Sequence, residues 1–171
     1  MSADREQLRF GIVGFGRMGK LVQQVLNERK EQINGIYDPA IRDYQWSNFD
    51  PLNIDTAVCF TTPVSGYGMT RRLLESGVDT VVGTTKFYLN EDGTPNQEML
   101  EKFDELARAN NCRFMKASNF SFGMNALWKH LAPLARTMHA LGYDVAVEER
   151  HHNQKADVAG TAKTIGRILI D

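Results

Sequence analysis

The chain has 171 residues and a formal net charge of -1, with 42% hydrophobic and 24% charged residues. This composition argues against a disordered chain, and a pI near 6.4 argues against a dedicated nucleic-acid binder. The length permits one full domain and part of a second. No apolar run approaches a membrane span and the polar N-terminus does not resemble a targeting signal, so we expect a cytoplasmic protein without membrane or nucleic-acid partners.

A strand, a glycine turn and a helix are predicted at the start of the chain. The apolar run 8–13 leads into Gly14-Phe-Gly16-Arg-Met-Gly19, after which apolar residues recur with helical spacing. In a nucleotide-binding turn the first glycine permits the bend, the second lets the backbone approach a pyrophosphate, and the third allows close helix packing. The pattern therefore favours a dinucleotide site.

An acidic residue in the right place supports that interpretation. A second predicted strand, 33–37, ends in Asp38, which lies 19 residues beyond Gly19 and can accept hydrogen bonds from an adenosine ribose. The alternative is a capping aspartate in a turn. The cofactor is predicted to be NADH or NADPH. Asp38 favours NADH, but Arg42 is close enough in sequence to offer a cation to the 2′-phosphate of NADPH, so both stay open.

The next part of the chain alternates between strands and helices. The predicted elements are 56–60, 67–75, 80–82, a helix from a Thr94 cap to about 110, and 112–115. Buried strands joined by helices imply right-handed crossovers, and therefore an α/β, Rossmann-like parallel sheet with helices on both faces. Gly14, Thr61 and Gly83 should share the edge where the strands end.

The C-terminal third is predicted to be part of a second domain. Residues 116–125 form a polar hinge, so the domains are 1–118 and 119–171. An apolar helix, a strand at 143–147 and a helix at 159–170 follow, which gives a partial α+β substrate domain. One strand and two helices do not readily form an independent domain, so a partner subunit or a further C-terminal segment is implied.

The densest chemistry lies in residues 150–163, which combine His151 and His152 with basic side chains and a Gly-Thr helix start. Positive charge and a helix N-terminus suit an anionic small molecule, and imidazole can deliver a proton near neutral pH. A solvated turn with surface histidines is the alternative. A metal site that includes Asp157 is disfavoured because adjacent histidines on a strand point to opposite faces, and no metal is predicted.

Several stretches, in order along the chain, resemble the 4-hydroxy-tetrahydrodipicolinate reductase family of bacterial lysine biosynthesis. They are Gly14-Phe-Gly-Arg-Met-Gly19, Phe60-Thr61, Gly83-Thr-Thr85, Asn119-Phe-Ser-Phe-Gly-Met-Asn125, and Glu149-Arg-His-His-Asn-Gln-Lys155 with Gly160-Thr-Ala162. The resemblance implies an N-terminal Rossmann domain, a C-terminal substrate and tetramerisation domain, and NAD(P)H-dependent reduction of a cyclic imine dicarboxylate.

The resemblance also implies roles for individual residues. His151 would donate a proton, Lys155 would contact a substrate carboxylate and assist, and His152 would hold the substrate. Gly160 and Thr161 would bind a carboxylate at the helix start. The implied cofactor contacts are Gly14, Gly16, Arg17, Met18, Gly19, Asp38, Thr61, Gly83, Thr84, Thr85, Asn119 and Phe120.

The chain departs from the family pattern in three places. Residues 155–161 are one residue shorter than the family's Lys-x-Asp-Ala-Pro-Ser-Gly-Thr segment and lack its proline and serine, and Lys86 replaces the last glycine of Gly-Thr-Thr-Gly. Family members also continue past the last helix with further strands. Two other functions therefore stay open: a different nicotinamide-dependent oxidoreductase on this scaffold, and a nucleotide-binding module without catalysis.

Overall fold

The computed structural model describes residues 7–90, 94–150 and 160–170, and the chain divides into two compact units, Met1–Ala117 and Ser118–Asp171. Four residues singled out from the sequence, His151, His152, Lys155 and Asp157, lie outside the described residues.

The first unit is built on a parallel sheet. Its elements are β1 Arg9–Val13, α1 Arg17–Glu28, β2 Gln32–Tyr37, β3 Thr56–Cys59, α2 Pro63–Glu75, β4 Asp79–Val82, α3 Gln97–Ala109 and β5 Phe114–Lys116. The strand order is β2-β1-β3-β4-β5, and each neighbouring pair is parallel. The predicted Rossmann-like fold is confirmed.

Alternate residues of the strands enter different cores because successive side chains point to opposite faces of a sheet. Ile12 packs with Leu26 of α1, whereas the adjacent Val13 packs with Met69 and Leu73 of α2. The helices α1 and α2 therefore cover opposite faces, as predicted. Full burial of each large apolar side chain contributes roughly 1.5–3 kcal/mol, so these two layers stabilise the sheet against which the loops are held.

The connection between β2 and β3 is a loop with two short 3-10 turns, Trp46–Asn48 and Pro51–Asn53. Its Phe49 is 2% exposed and packs in the same core as Val13. The sequence predicted a connecting loop with at most a helical turn here, which is close to what is found.

The N-cap of helix α3 lies two residues after Thr94, the cap predicted from the sequence. Asn96 is the N-cap, and its side chain accepts a hydrogen bond from Met99 N at 2.9 Å. Thr94 is instead engaged by Asn90, whose backbone N donates to the Thr94 carbonyl at 2.8 Å. The prediction that Thr94 caps α3 was therefore wrong. Asparagine is at least as good an N-cap as threonine, which is consistent with a cap at Asn96.

The second unit contains α4 Phe122–Ala140 and α5 Gly160–Ile170 in its described residues. The strand predicted at 143–147 is not present in the described segment 141–150, where Tyr143, Val145 and Val147 are 58%, 48% and 46% exposed. A strand needs a neighbour to bond its backbone, and the described part of this unit offers only helices. That prediction was therefore wrong.

No helix in the described ranges combines the length and the apolar character that crossing a bilayer requires.

Candidate functional site

The carboxyl ends of the parallel strands in the first unit form one edge, which we call the carboxyl edge. It carries the glycine loop (residues 14–19) after β1, Asp38 after β2, Thr61 after β3 and residues 83–85 after β4. Ligands of open α/β sheets bind beyond this edge. The predicted placement of Gly14, Thr61 and Gly83 along one edge is confirmed.

Two glycines of the loop are required by the fold itself. Gly14 has φ +90°, and a Cβ there would lie 2.4 Å from the carbonyl oxygen of Phe60. A Cβ on Gly19 would lie 2.1 Å from the carbonyl oxygen of Gly14, because α1 packs directly against the end of β1. Both clashes are with backbone atoms, so no side-chain rotation relieves them.

Gly16 is different, because the protein itself gives no reason for a glycine there. Its φ of −74° and ψ of −157° are open to any residue, and a Cβ would have no atom within 4 Å. Gly16 is also the N-cap of α1, with no side-chain cap and no acidic residue in the first turn. Open space above a helix N-terminus, with unbonded N–H groups, suits a phosphate.

Arg17 and Met18 follow Gly16 in the first turn of α1, and both side chains are exposed. Their backbone N–H groups belong to the first turn of the helix, which has no preceding carbonyls to bond. The guanidinium of Arg17 adds a positive charge at the positive end of the helix dipole. The geometry therefore suits the phosphate contact that the resemblance implies for Arg17.

Asp38 is bonded to the glycine loop. Its Oδ2 accepts a hydrogen bond from Phe15 N at 2.7 Å, and its Oδ1 accepts one from Ala40 N at 2.9 Å. The bond to Ala40 N makes Asp38 a cap of its own turn, which is one of the two roles that its position in the sequence indicates; a ribose contact is the other. A carboxylate has about four acceptor sites, so capacity for a further donor remains.

Thr61 and Thr84 hold the ends of β3 and β4 together. Thr84 is 5% exposed, and its Oγ1 accepts a hydrogen bond from Thr61 N at 2.8 Å and lies 3.2 Å from the Thr61 carbonyl oxygen. Most of the bonding capacity of this hydroxyl is used within the protein. Thr84 thus supports the edge, whereas the hydroxyl of Thr61 lies closer to solvent.

The residues around Thr84 are tightly constrained. A Cβ on Gly83 would lie 2.1 Å from the Phe60 ring, so a side chain cannot be placed there without moving that ring. Thr85 is half-buried, and the exposed Lys86 that follows has φ +77°. A lysine therefore occupies the left-handed conformation that glycine adopts most easily, at the position where the family pattern has glycine.

Residues 118–125 of the predicted hinge belong to the second unit and lead into α4, whereas residues 116 and 117 belong to the first. Ser121 is the N-cap, and Asn119 Oδ1 accepts a hydrogen bond from Ser121 N at 2.8 Å. Asn125 Nδ2 donates to the carbonyls of Asn119 and Ser121 at 3.0 and 2.8 Å. Phe120 is 40% exposed. The sequence analysis did not assign Ser121 and Asn125 to the site, although the Asn-x-Ser pattern before a helix indicates such capping.

The substrate residues are described only in part. Helix α5 is described over Gly160–Ile170, within the helix predicted at 159–170, and has no acidic residue in its first turn. Thr161 is half-buried. The carboxylate contact predicted for Gly160 and Thr161 stays a prediction, and His151, His152 and Lys155, which were assigned to the same site, lie outside the described residues.

Both cysteines are free, and the pKa of each thiol is raised above its usual value. Cys59 is buried, and burial raises the pKa of its thiol to about 12, so it stays neutral and unreactive. Cys112 is half-buried, and burial and the nearby Asp79 raise the pKa of its thiol. Among the described residues no group of three or more His, Cys, Asp or Glu side chains is placed to hold a metal.

Comparison with known proteins identifies relatives along the whole chain. The 4-hydroxy-tetrahydrodipicolinate reductase of Christiangramia forsetii is 29% identical over 166 residues, covering 96% of this chain and 64% of the relative. The enzyme of the same name from Streptococcus pneumoniae is 30% identical over 176 residues, again 96% and 64%. The chain thus spans less than two thirds of the length of these relatives.

Solved structures share the fold. The dipicolinate-bound dihydrodipicolinate reductase from Paenisporosarcina sp. TG-14 superposes with a TM-score of 0.68 at 22% identity, over 96% of this chain and 66% of that one. Aspartate dehydrogenase from Thermotoga maritima gives a TM-score of 0.52 at 17% identity, over 74% and 52%. The scaffold therefore serves proteins with different names.

Matches to protein-family models assign the chain to one family. The model described as "Dihydrodipicolinate reductase, N-terminus" matches residues 8–120, and that described as "Dihydrodipicolinate reductase, C-terminus" matches residues 123–171. Together they cover both units in the expected order. The chain, with its glycine loop, its carboxyl edge and its C-terminal helices, belongs to the dihydrodipicolinate reductase family.

Proposed function

We propose that this protein reduces 4-hydroxy-tetrahydrodipicolinate to tetrahydrodipicolinate with NADH or NADPH, in lysine and diaminopimelate biosynthesis. The observation that carries the proposal is the difference between the three glycines. A side chain at Gly14 or Gly19 would clash with the backbone, whereas Gly16 leaves open space at the N-terminus of α1, where a phosphate group would fit. Membership of the family then gives that ligand a chemical identity.

The residues of the carboxyl edge fit a nicotinamide dinucleotide. The pyrophosphate would lie over Gly16 at the start of α1, with Arg17 and Met18 beside it, and the adenosine ribose near Asp38. Thr61, Gly83, Thr84 and Thr85 would border the nicotinamide end, and Asn119 and Phe120 are the further cofactor contacts that the family resemblance implies. Asp38 favours NADH, because a carboxylate beside a 2′-phosphate would be repelled.

When bound, the nicotinamide supplies the hydride, and the protein places the substrate and supplies the proton. His151 would deliver that proton to the substrate anion that hydride addition creates. Lys155 and the N-terminus of α5 at Gly160 and Thr161 would hold the two carboxylates, and His152 would help to hold the ring. The domains 1–118 and 119–171 would thus divide cofactor and substrate between them.

The remaining parts of the proposal follow from the family. We infer a homotetramer, a cytoplasmic location and a small-molecule dicarboxylate substrate, with no nucleic-acid or membrane partner.

The test adds freshly generated 4-hydroxy-tetrahydrodipicolinate, the proposed substrate, to the protein and NADH. Turnover is measured as the loss of NADH absorbance. His151→Ala should chiefly lower turnover, and Lys155→Ala should weaken substrate use while leaving nicotinamide binding intact. A similar loss of NADH affinity in both variants would contradict the assignment.

A second candidate is a nucleotide-binding module without catalysis. The shortened segment 155–161 favours it, because this segment precedes the helix start that would hold a carboxylate. Tight NADH binding with no turnover, and no effect of His151→Ala, would support this alternative. A different reductase on the same scaffold would instead be revealed by turnover of another substrate in a screen.

A further inference from the structure

We propose that Asp38 is a positioning residue that fixes the glycine loop before a nucleotide binds, in addition to any contact with a ribose. The proposal rests on the proposed function, since it assigns the loop to a dinucleotide. It concerns a different contact, between the turn after β2 and the backbone in the middle of the loop.

The first step is the hydrogen bond between Phe15 and Asp38. Phe15 lies between Gly14 and Gly16, and its backbone N donates to Asp38 Oδ2 at 2.7 Å across a separation of 23 residues. Phe15 is only 9% exposed. A backbone N–H at a buried residue needs an acceptor, and the hydrogen bond to a carboxylate is of the stronger, charge-assisted kind.

The second step is that the Asp38 carboxylate is itself held in place. Its other oxygen accepts from Ala40 N at 2.9 Å, and the Asp38 backbone N donates to the Tyr44 carbonyl at 2.7 Å. Ile41 N donates to the Asp38 carbonyl at 3.1 Å, and Tyr44 N to the Ile41 carbonyl at 3.1 Å. The turn 38–44 is therefore closed by its own hydrogen bonds and presents one carboxylate oxygen to the loop.

The third step is that the same turn also contacts the loop through a side chain. The rings of Phe15 and Tyr44 meet edge to face, with centroids 5.1 Å apart. On the other side, Gly14 N donates to the Tyr37 carbonyl at 2.7 Å. The backbone N–H groups of Gly14 and Phe15, just before Gly16, are thus both bonded to the end of β2 and the turn that follows it.

This arrangement predicts how Asp38 variants should bind nucleotides. A carboxylate that only contacts the ribose would distinguish a 2′-hydroxyl from a 2′-phosphate, so its removal would weaken NADH and favour NADPH. A carboxylate that positions the loop acts on the shared pyrophosphate, so its removal should weaken both nucleotides. Pre-organisation of the loop lowers the entropy cost of binding for either one.

The experiment measures dissociation constants for NADH and for NADPH with the wild-type chain, Asp38→Ala and Asp38→Asn. We expect Asp38→Ala to raise the constant for NADH about tenfold and the constant for NADPH by a smaller factor, because loss of the repulsion from the 2′-phosphate offsets part of the effect. The constants for Asp38→Asn should lie between those of the wild type and Asp38→Ala, because an amide oxygen can still accept a hydrogen bond from Phe15 N. The control is Asp43→Ala, which removes the same charge from an exposed position near this turn and should leave both constants unchanged.

A second measurement does not depend on nucleotide binding. Hydrogen exchange at the Phe15 amide, without ligand, should be faster in Asp38→Ala than in the wild type or Asp43→Ala. Unchanged exchange at Phe15, or weaker NADH binding together with tighter NADPH binding, would overturn the proposal. If the wild type bound neither nucleotide, the proposed function would fail, and exchange at Phe15 would still decide whether Asp38 holds the loop.

Discussion

The two edges of the central sheet use polar residues in opposite ways. The amino edge, where the strands begin, pairs charges: Asp55 accepts from the backbone N and the side chain of Arg9, and Asp79 accepts from the backbone N and the side chain of Arg113. The carboxyl edge instead bonds its polar side chains to the backbone and leaves the first turn of α1 open. One edge is satisfied within the protein, and the other retains capacity for a ligand.

This difference indicates where mutations should affect stability and where they should affect binding. At the amino edge the aspartates tie neighbouring strands, so their loss should appear in the unfolding free energy. At the carboxyl edge both kinds of position occur within six residues, from Gly14 to Gly19. The glycine loop is therefore the sharpest place to separate the two effects.

The largest effect is expected for Gly19→Ala. The new Cβ would meet the Gly14 carbonyl oxygen at 2.1 Å, so α1 and β1 must move apart. We expect a loss of about 3 kcal/mol in unfolding free energy, measured by urea denaturation. Gly68→Ala is the matched control, since Gly68 lies in α2 with no atom within 4 Å of a Cβ and should gain up to about 1 kcal/mol from helix propensity.

The next largest effect is expected for Gly16→Val, and it should appear chiefly in the affinity for NADH. Nothing in the protein opposes the side chain, but a branched Cβ would occupy the approach of a pyrophosphate. The dissociation constant for NADH should rise about 100-fold, which is about 2.7 kcal/mol, with the urea midpoint lowered only slightly, because valine is a poorer N-cap than glycine. Unaltered NADH binding would refute the assignment of the loop, and a large loss of stability would refute the distinction from Gly19.

A smaller effect is expected at the amino edge, for Asp55→Asn. Hydrogen bonds from the Arg9 side chain and backbone hold the pKa of Asp55 below its usual value of 3.8. Because the folded pKa is depressed, the stabilisation is present above the unfolded pKa and disappears as the pH falls through the folded pKa. The side chain is 34% exposed, so screening limits the expected loss to about 1 kcal/mol at neutral pH.

The pH dependence provides the check on this variant. The difference in unfolding free energy between the wild type and Asp55→Asn should shrink as the pH is lowered from 7 toward 3, about one unit below the unfolded value. Glu98→Gln is a suitable comparison, because Glu98 belongs to an exposed ion pair with Lys102 on α3 and should show a smaller difference. If the difference in unfolding free energy between the wild type and Asp55→Asn stayed constant with pH, the role of the ionised carboxylate would be contradicted.

The smallest effect is expected for Lys86→Gly. A non-glycine residue at φ +77° costs about 1–2 kcal/mol, and the added freedom of glycine in the unfolded chain returns about 0.5–1 kcal/mol of this. We therefore expect a net gain of about 0.5 kcal/mol, within the resolution of thermal unfolding. Lys86→Ala keeps the backbone strain and should show no gain, which separates the backbone effect from loss of the lysine side chain.

The sequence by itself determined the fold of the first unit and the place of the glycine loop. Continuous apolar runs, helical spacing and the Gly14-x-Gly16-x-x-Gly19 pattern are local features, and local geometry follows from them directly. The same reasoning placed Asp38, Thr61 and Gly83 at the ends of strands, which all meet at one edge in a parallel sheet. The roles of His151, His152 and Lys155 rest on the pattern of residues and stay predictions.

Only the tertiary structure decided which atoms meet. The sequence could not show that Gly14 and Gly19 are needed for packing while Gly16 is not, because that depends on how closely Phe60 and α1 approach the loop. The bonds from Asp38 to Phe15 and from Thr84 to Thr61 likewise join residues 23 positions apart. The segment 143–147 alternates like a strand, but a strand forms only where a neighbour can bond its backbone, and that is settled in three dimensions.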